Sequence, residues 1–281
     1  MKKLKYIILL VLSMAIVGCN VDTAYANTID ERQIVETSVK INNQFLVADT
    51  PHILVEDSVF VVGRYLVEAL GGTIGWTEET QTVSMVLEDK AIDIVIGSLE
   101  SVVDGTSVAL YKAPFIKDGR TMIPLRFVSE YFGCDVEWIQ QTYTVVMEKD
   151  GLEVPKAYIY DRSYTDEDLY LLSKIVTVES GDHSLEMAMA IANTVLNRVK
   201  DDRFPNTIAE VIYQVDVYQQ FPPAHKASFE TLTPKPISIK ASKRALEGVN
   251  NIGPSLFFNN QPFKSKTNDL IKIIDGEYFY K

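Results

Sequence analysis

Cysteine is almost missing: only Cys19 and Cys134 occur in 281 residues. No internal disulfide can brace the fold once the first is lost or modified, so stability must come from packing, with Cys134 as a small buried apolar residue. Histidine is equally scarce. His52, His183 and His225 are scattered, with no cysteine beside them at metal-ligand spacing, which argues against a zinc site; no cofactor is expected. Tryptophan occurs twice, as Trp76 and Trp138, so any aromatic stacking on a ligand further along must come from Tyr or Phe. Positive charge is also short. Lys and Arg number 27 against 38 Asp and Glu, a net charge of −11. The imbalance sits before Thr165, with 14 basic and 23 acidic residues there and 13 and 15 from it onward. An acidic front half argues against nucleic acid and anionic lipid as partners.

Long apolar runs are limited to one, Tyr6 to Val17, behind the basic start Met1-Lys2-Lys3-Leu4-Lys5. It is too short to cross a bilayer and reads as an export signal spanning 1–26. Ile16-Val17-Gly18-Cys19 resembles a lipobox that would leave Cys19 lipidated, whereas Ala24-Tyr25-Ala26 resembles an ordinary cleavage site. Either way the mature protein is expected outside the cytoplasmic membrane, touching it only through the signal or a lipid anchor. What remains is long enough for two domains, and a hydrophobic content of 47% is ample for packed cores.

The front half repeats itself. A shift of 62 positions lays Arg64 on Arg126, Glu68 on Glu130, Gly71 on Gly133, Trp76 on Trp138, Thr80 on Thr142 and Val83 on Val145. Each unit reads as strand, short helix (Gly63 to Leu70; Pro124 to Phe132), glycine turn and hairpin. The paired tryptophans read first as core anchors after a tight turn, and only second as ligand contacts. Asp118-Gly119-Arg120-Thr121-Met122-Ile123-Pro124-Leu125-Arg126-Phe127-Val128-Ser129-Glu130 resembles the signature of the copper amine oxidase N-terminal-like stalk domain over about residues 38–149. Nothing in it is suited to ligate copper. The resemblance implies an accessory module on an exported protein of a Gram-positive bacterium, with a possible wall or protein contact.

Residues 150–164, with Gly151 and Pro155, read as a linker. A helix then starts at Thr165, where Asp168 completes an N-cap box, and Leu169, Leu172 and Val176 form its apolar stripe. Glu179 is next on that stripe. A carboxyl delivered to a desolvated place holds its proton, which a general acid needs near neutral pH. Ser180-Gly181 stops the helix, and Ser184 caps a second one, Leu185 to Lys200, that aligns Asn193 and Asn197 one turn apart. Thr207 with Glu210 caps a short helix, Pro236 to Glu247 reads as another, and Leu256 to Asn259 and Glu277 to Tyr280 as strands. The fold class is therefore α+β: a duplicated β-rich front domain with short helices, and a mainly helical back domain (165–281) with a small sheet.

Five ordered motifs carry a second resemblance: Glu179-Ser180-Gly181-Asp182; Ala190-Ile191-Ala192-Asn193-Thr194-Val195-Leu196-Asn197-Arg198-Val199; Arg203-Phe204-Pro205-Asn206-Thr207-Ile208; Gln220-Phe221; and Asp275-Gly276-Glu277-Tyr278-Phe279-Tyr280. Together they resemble the SleB-type cell wall hydrolases, the spore cortex-lytic family, over about residues 166–281. The resemblance implies a lysozyme-like fold and cleavage of the β-1,4 bond between N-acetylmuramic acid and N-acetylglucosamine in peptidoglycan, in wall remodelling or spore cortex lysis, with Glu179 as the acid. Two departures stand out: Asp182-His183 follow the glycine where many members have Glu, and Phe257-Phe258-Asn259-Asn260-Gln261 lacks the family's Asn-Pro.

A two-carboxylate hydrolase needs a second acid. Asp182 is a candidate for it, while Glu186 reads as a solvated helix-face charge. One acid suffices for a lytic transglycosylase, the preferred reading. Asn193, Asn197, Tyr218, Gln220, Phe221 and Phe258 are expected to line the cleft, with Tyr213 and Phe257 as further aromatic candidates. His183, His225 and Arg198 read as structural. The rival class is a protein without activity, bound to the wall or the spore structure through its front repeats.

Overall fold

The computed structural model describes residues 34–215, 219–264 and 267–281. The front domain is built from three five-stranded sheets, several of whose hairpins close on two-residue turns. Asn42-Asn43, Glu56-Asp57 and Asp118-Gly119 all have positive φ, the backbone that matches the twist of the strands they join. Strands Ser58–Val62 and Arg120–Pro124 pair antiparallel with Val61 opposite Ile123, positions that differ by the repeat length, so the two copies meet about a local two-fold. The short helices Gly63–Ala69 and Leu125–Tyr131 follow at once, as the repeat requires.

A second sheet is the meander Thr73–Thr77, Thr82–Leu87, Lys90–Val95, Glu100–Val103, Thr106–Ala109, with Thr73–Thr77 at its edge. In the third, Ser38–Ile41 lies parallel to Thr144–Glu148, so the first strand of the domain completes the sheet of its last hairpin. Val61, Leu66, Met85, Ile123 and Met147 are sealed in the shared core. Cys134 is buried as expected, and burial pushes its thiol up to about 11, which makes it unreactive.

The expected linker is not free. Lys156–Tyr158 forms a 3-10 turn and Ile159–Tyr160 adds a strand to the third sheet, opposite Leu46 and Phe45. Arg162 and Lys40 then both bind the Asp166 carboxylate at 2.6 Å, fastening the first helix of the back domain to the front one. Glu36 adds ion pairs to Arg244 at 2.9 Å and Lys240 at 3.2 Å.

The back domain packs Asp166–Ser180, Ile208–Tyr213 and Pro236–Leu246 around a central helix, Leu185–Val199. Its Ala188, Ala190, Ala192, Ile191 and Val195 are fully buried; the small residues admit neighbours on more than one side. The capping box of Thr165 and Asp168 and the caps of Ser184 and Thr207 form as the sequence predicts. An antiparallel sheet of Phe257–Asn259, Glu277–Tyr280 and Leu270–Ile274 closes the domain. No helix among the described residues is long and apolar enough to cross a membrane.

Candidate active site

Leu169, Leu172 and Val176 are fully buried, and the same face of the helix carries Glu179 to its C-terminal end in a partly buried position. Gly181 stops the helix with a φ of 57°. Its left-handed backbone turns the chain toward Ser184 without a side chain in the corner. The Glu179 carboxyl is raised to about 6 in all: loss of solvent raises it, Arg198 opposes, Glu277 adds to the rise and Lys226 opposes. Burial is the dominant effect. Near neutrality Glu179 therefore exchanges its proton readily, the condition for a group that must both give and take one.

Arg198 is 4% exposed and lies in an aromatic enclosure, 5.1 to 5.6 Å from the rings of Phe204, Phe221 and Phe257. Its Nε donates to the Leu256 carbonyl at 2.8 Å, while one terminal nitrogen is buried with no hydrogen-bond partner among the described residues. Desolvation lowers the guanidinium to about 10, still charged at pH 7, and Glu179 partly offsets that. No ion pair within 4 Å joins the two among the described residues. Arg198 thus supplies a fixed positive field that strengthens when Glu179 ionises, rather than a partner that neutralises it beforehand.

Glu277, not singled out from the sequence, lies within electrostatic reach of Glu179. The turn Asp275-Gly276 has φ values of 50° and 88°, and Asp275 accepts from both the Ser184 hydroxyl (2.6 Å) and the Ser184 N–H (3.0 Å). That clamp ties the strand carrying Glu277 to the loop that follows Glu179. Desolvation raises Glu277 too, with His183 opposing. His183 stands 3.7 Å from Asp275, at the surface.

Asp182 behaves differently. Its side chain is 97% exposed, it pairs with Lys235 at 2.5 Å, and that lysine holds its carboxyl below the usual range. It is a solvated, ionised surface charge and does not join Glu179.

Several expected cleft residues do other work. Asn193 donates to the Val249 carbonyl (3.0 Å) and the Asn251 side chain (3.1 Å), and Asn197 to the carbonyls of Gly253 (2.7 Å) and Ser255 (2.8 Å). Their amides anchor the 249–256 segment, which leads into the small sheet. Phe221 is 1% exposed, and its ring is taken up by Arg198 rather than open to a sugar. Phe258 packs on Phe279 with ring centres 5.9 Å apart. Gln220 is partly buried, and its backbone N–H bonds to the Gln214 carbonyl at 3.3 Å. Tyr213 is 44% exposed, edge-on to His225 at 6.0 Å, and remains the open aromatic of the set. Tyr218 and Cys19 lie outside the described residues. No group of His, Cys, Asp and Glu able to hold a metal occurs among the described residues.

With this geometry in place, comparison with known proteins is informative. Residues 182–280 match the family described as Cell Wall Hydrolase, and residues 40–147 match the Copper amine oxidase N-terminal domain. Both resemblances read from the motifs are thereby shown, each for its own part of the chain. Among solved structures, the catalytic domain of the germination-specific lytic transglycosylase SleB from Bacillus anthracis is 26% identical, covering 43% of this chain and 100% of that one at a TM-score of 0.38. The catalytic domain of the Bacillus cereus SleB protein is 28% identical over 43% of this chain and 94% of that one, at 0.37. No curated protein matches the chain.

Proposed function

Starting from a cell wall hydrolase domain behind a copper amine oxidase N-terminal domain, we propose that the protein cleaves the β-1,4 bond between N-acetylmuramic acid and N-acetylglucosamine in peptidoglycan, outside the cytoplasmic membrane, with Glu179 as its acid. The observation that carries this reading is a helix-end carboxyl raised by desolvation to about 6 beside a buried, charged Arg198.

In the lytic transglycosylase form, Glu179 gives its proton to the bridging oxygen as the bond from that oxygen to C1 of the muramic ring breaks. The carboxylate so formed is stabilised by Arg198. It then takes the proton of the muramic 6-hydroxyl while that oxygen bonds to C1, which closes a 1,6-anhydro ring and returns Glu179 to its protonated form. No water enters. A second reading, hydrolysis, is favoured by one observation: Glu277 is a further carboxylate within electrostatic reach of Glu179. It would act as base on a water, as in two-carboxylate glycosidases.

Mass spectrometry of products from purified sacculi separates the two. Anhydromuramic ends are expected, reducing muramic ends would shift the mechanism to Glu277-assisted hydrolysis, and no release by the wild type would sink the enzymatic reading.

A further inference from the structure

The two copies in the front domain differ in what they do with the same two side chains. In the second copy, Arg126 donates to Glu130 (2.8 Å) and to the Val136 carbonyl (2.9 Å). Trp138 donates to Gln140 at 2.9 Å and packs edge-on against Tyr143 at 5.3 Å. Both are committed to the fold.

In the first copy both are released. The counterpart of Glu130 is Glu68, which accepts from the Tyr158 hydroxyl at 2.7 Å; among the described residues no carboxylate pairs with Arg64, which is exposed. The counterpart of Tyr143 is Gln81, with the same left-handed backbone (φ 52° against 49°) and no ring to cover the tryptophan. Trp76 is accordingly 44% exposed, on the edge strand Thr73–Thr77. Arg64, Trp76, Gly75, Gly119, Arg120 and Thr121 line a groove of about 160 Å³ between the first and second sheets. Arg120 already binds Asp49, with its Nε at 2.8 Å. Arg64 is the uncommitted cation.

From these differences we infer that the groove at Trp76 and Arg64 binds a single sugar ring bearing a nearby carboxylate, the ring stacked on the indole and the carboxylate on the guanidinium. A space this size suits one hexose and is small for a drug-sized ligand or a helix. The surrounding acidic domain repels polyanions, while a lone guanidinium still attracts one close carboxylate, since screening confines charge effects to about 8–10 Å. A muramic residue whose lactyl carboxyl is free of a stem peptide has this chemistry, so the inference rests on the substrate class proposed above and gives the front domain a grip on the same polymer.

The full chain carrying Glu179→Gln and Trp138→Phe keeps Trp76 as its sole tryptophan and reports on the groove by fluorescence. Titration with the N-acetylglucosaminyl–N-acetylmuramic acid disaccharide is expected to change the emission saturably, and chitobiose, without a carboxylate, to bind about tenfold more weakly. Arg64→Ala should erase that discrimination. Gln81→Tyr, which restores the second copy's ring, should abolish the response. An emission indifferent to millimolar disaccharide, or discrimination that survives Arg64→Ala, overturns the inference. Should Trp138→Phe fail to fold, sedimentation of the Glu179→Gln chain with sacculi decides in its place: Trp76→Ala is expected to lower the bound fraction severalfold, and unchanged binding refutes the site. Muropeptide release by the wild type is measured alongside. Release without a Trp76 response sinks the groove alone, and a response without release sinks the cleavage reading alone.

Discussion

Replacing Glu179 by Gln should make the protein inactive and, at neutral pH, more stable. The ordinary carboxyl value of 4.5 rises to about 6 in the folded chain. That is roughly 1.5 pH units, and at 1.36 kcal/mol per unit the folded state disfavours the ionised form by about 2 kcal/mol. Because the folded value is the higher one, the penalty is absent below pH 4.5, grows between 4.5 and about 6, and is complete above. Glutamine is close in shape to the protonated acid and carries none of it. Urea unfolding followed by helical circular dichroism reports on the back domain, where the long helices lie. It should show the variant level with the wild type near pH 4 and about 2 kcal/mol more stable at pH 7.5. The gain should come with complete loss of muropeptide release. A variant less stable than the wild type at pH 7.5 would refute the reasoning, because it would mean that attraction between ionised Glu179 and Arg198 outweighs desolvation.

Two other substitutions probe the frame around this group. Glu277→Gln removes a negative charge that raises Glu179, so the alkaline limb of kcat/KM should move to lower pH; a limb that stays in place would show the two carboxyls to be uncoupled. Asn197→Ala leaves the Ser255 carbonyl without its donor and the Gly253 carbonyl with Asn250 alone, and should cost about 1–3 kcal/mol in back-domain stability; a change under about 0.5 kcal/mol would mean that solvent replaces those bonds freely.

Local chemistry was legible in the sequence where it rests on neighbouring residues. The box of Thr165 and Asp168, the stripe that ends on Glu179 and the 62-residue repeat follow from spacing alone, and each forms as written. Long-range placement was harder to read. Glu277 lies nearly a hundred positions from Glu179, and its one local signal is the Asp275-Gly276 turn that bends its strand back to Ser184. The Asn193 and Asn197 spacing correctly gives a shared helix face, but spacing does not say what that face meets, and it meets the 249–256 segment. Phe221 is expected from the sequence to line the cleft, yet a buried guanidinium needs apolar cover and draws the ring inward. Trp76 and Trp138 looked equivalent because the repeat makes them so; the Gln81 and Tyr143 difference separates them.

Strand Ser38–Ile41 has its parallel partner in Thr144–Glu148, more than a hundred residues later. A chain delivered start-first, whether from a ribosome or through a pore, must therefore keep that early strand waiting until the last hairpin emerges. Completion of the third sheet is held back until that hairpin is free, so the front domain closes last at the seam between its two ends.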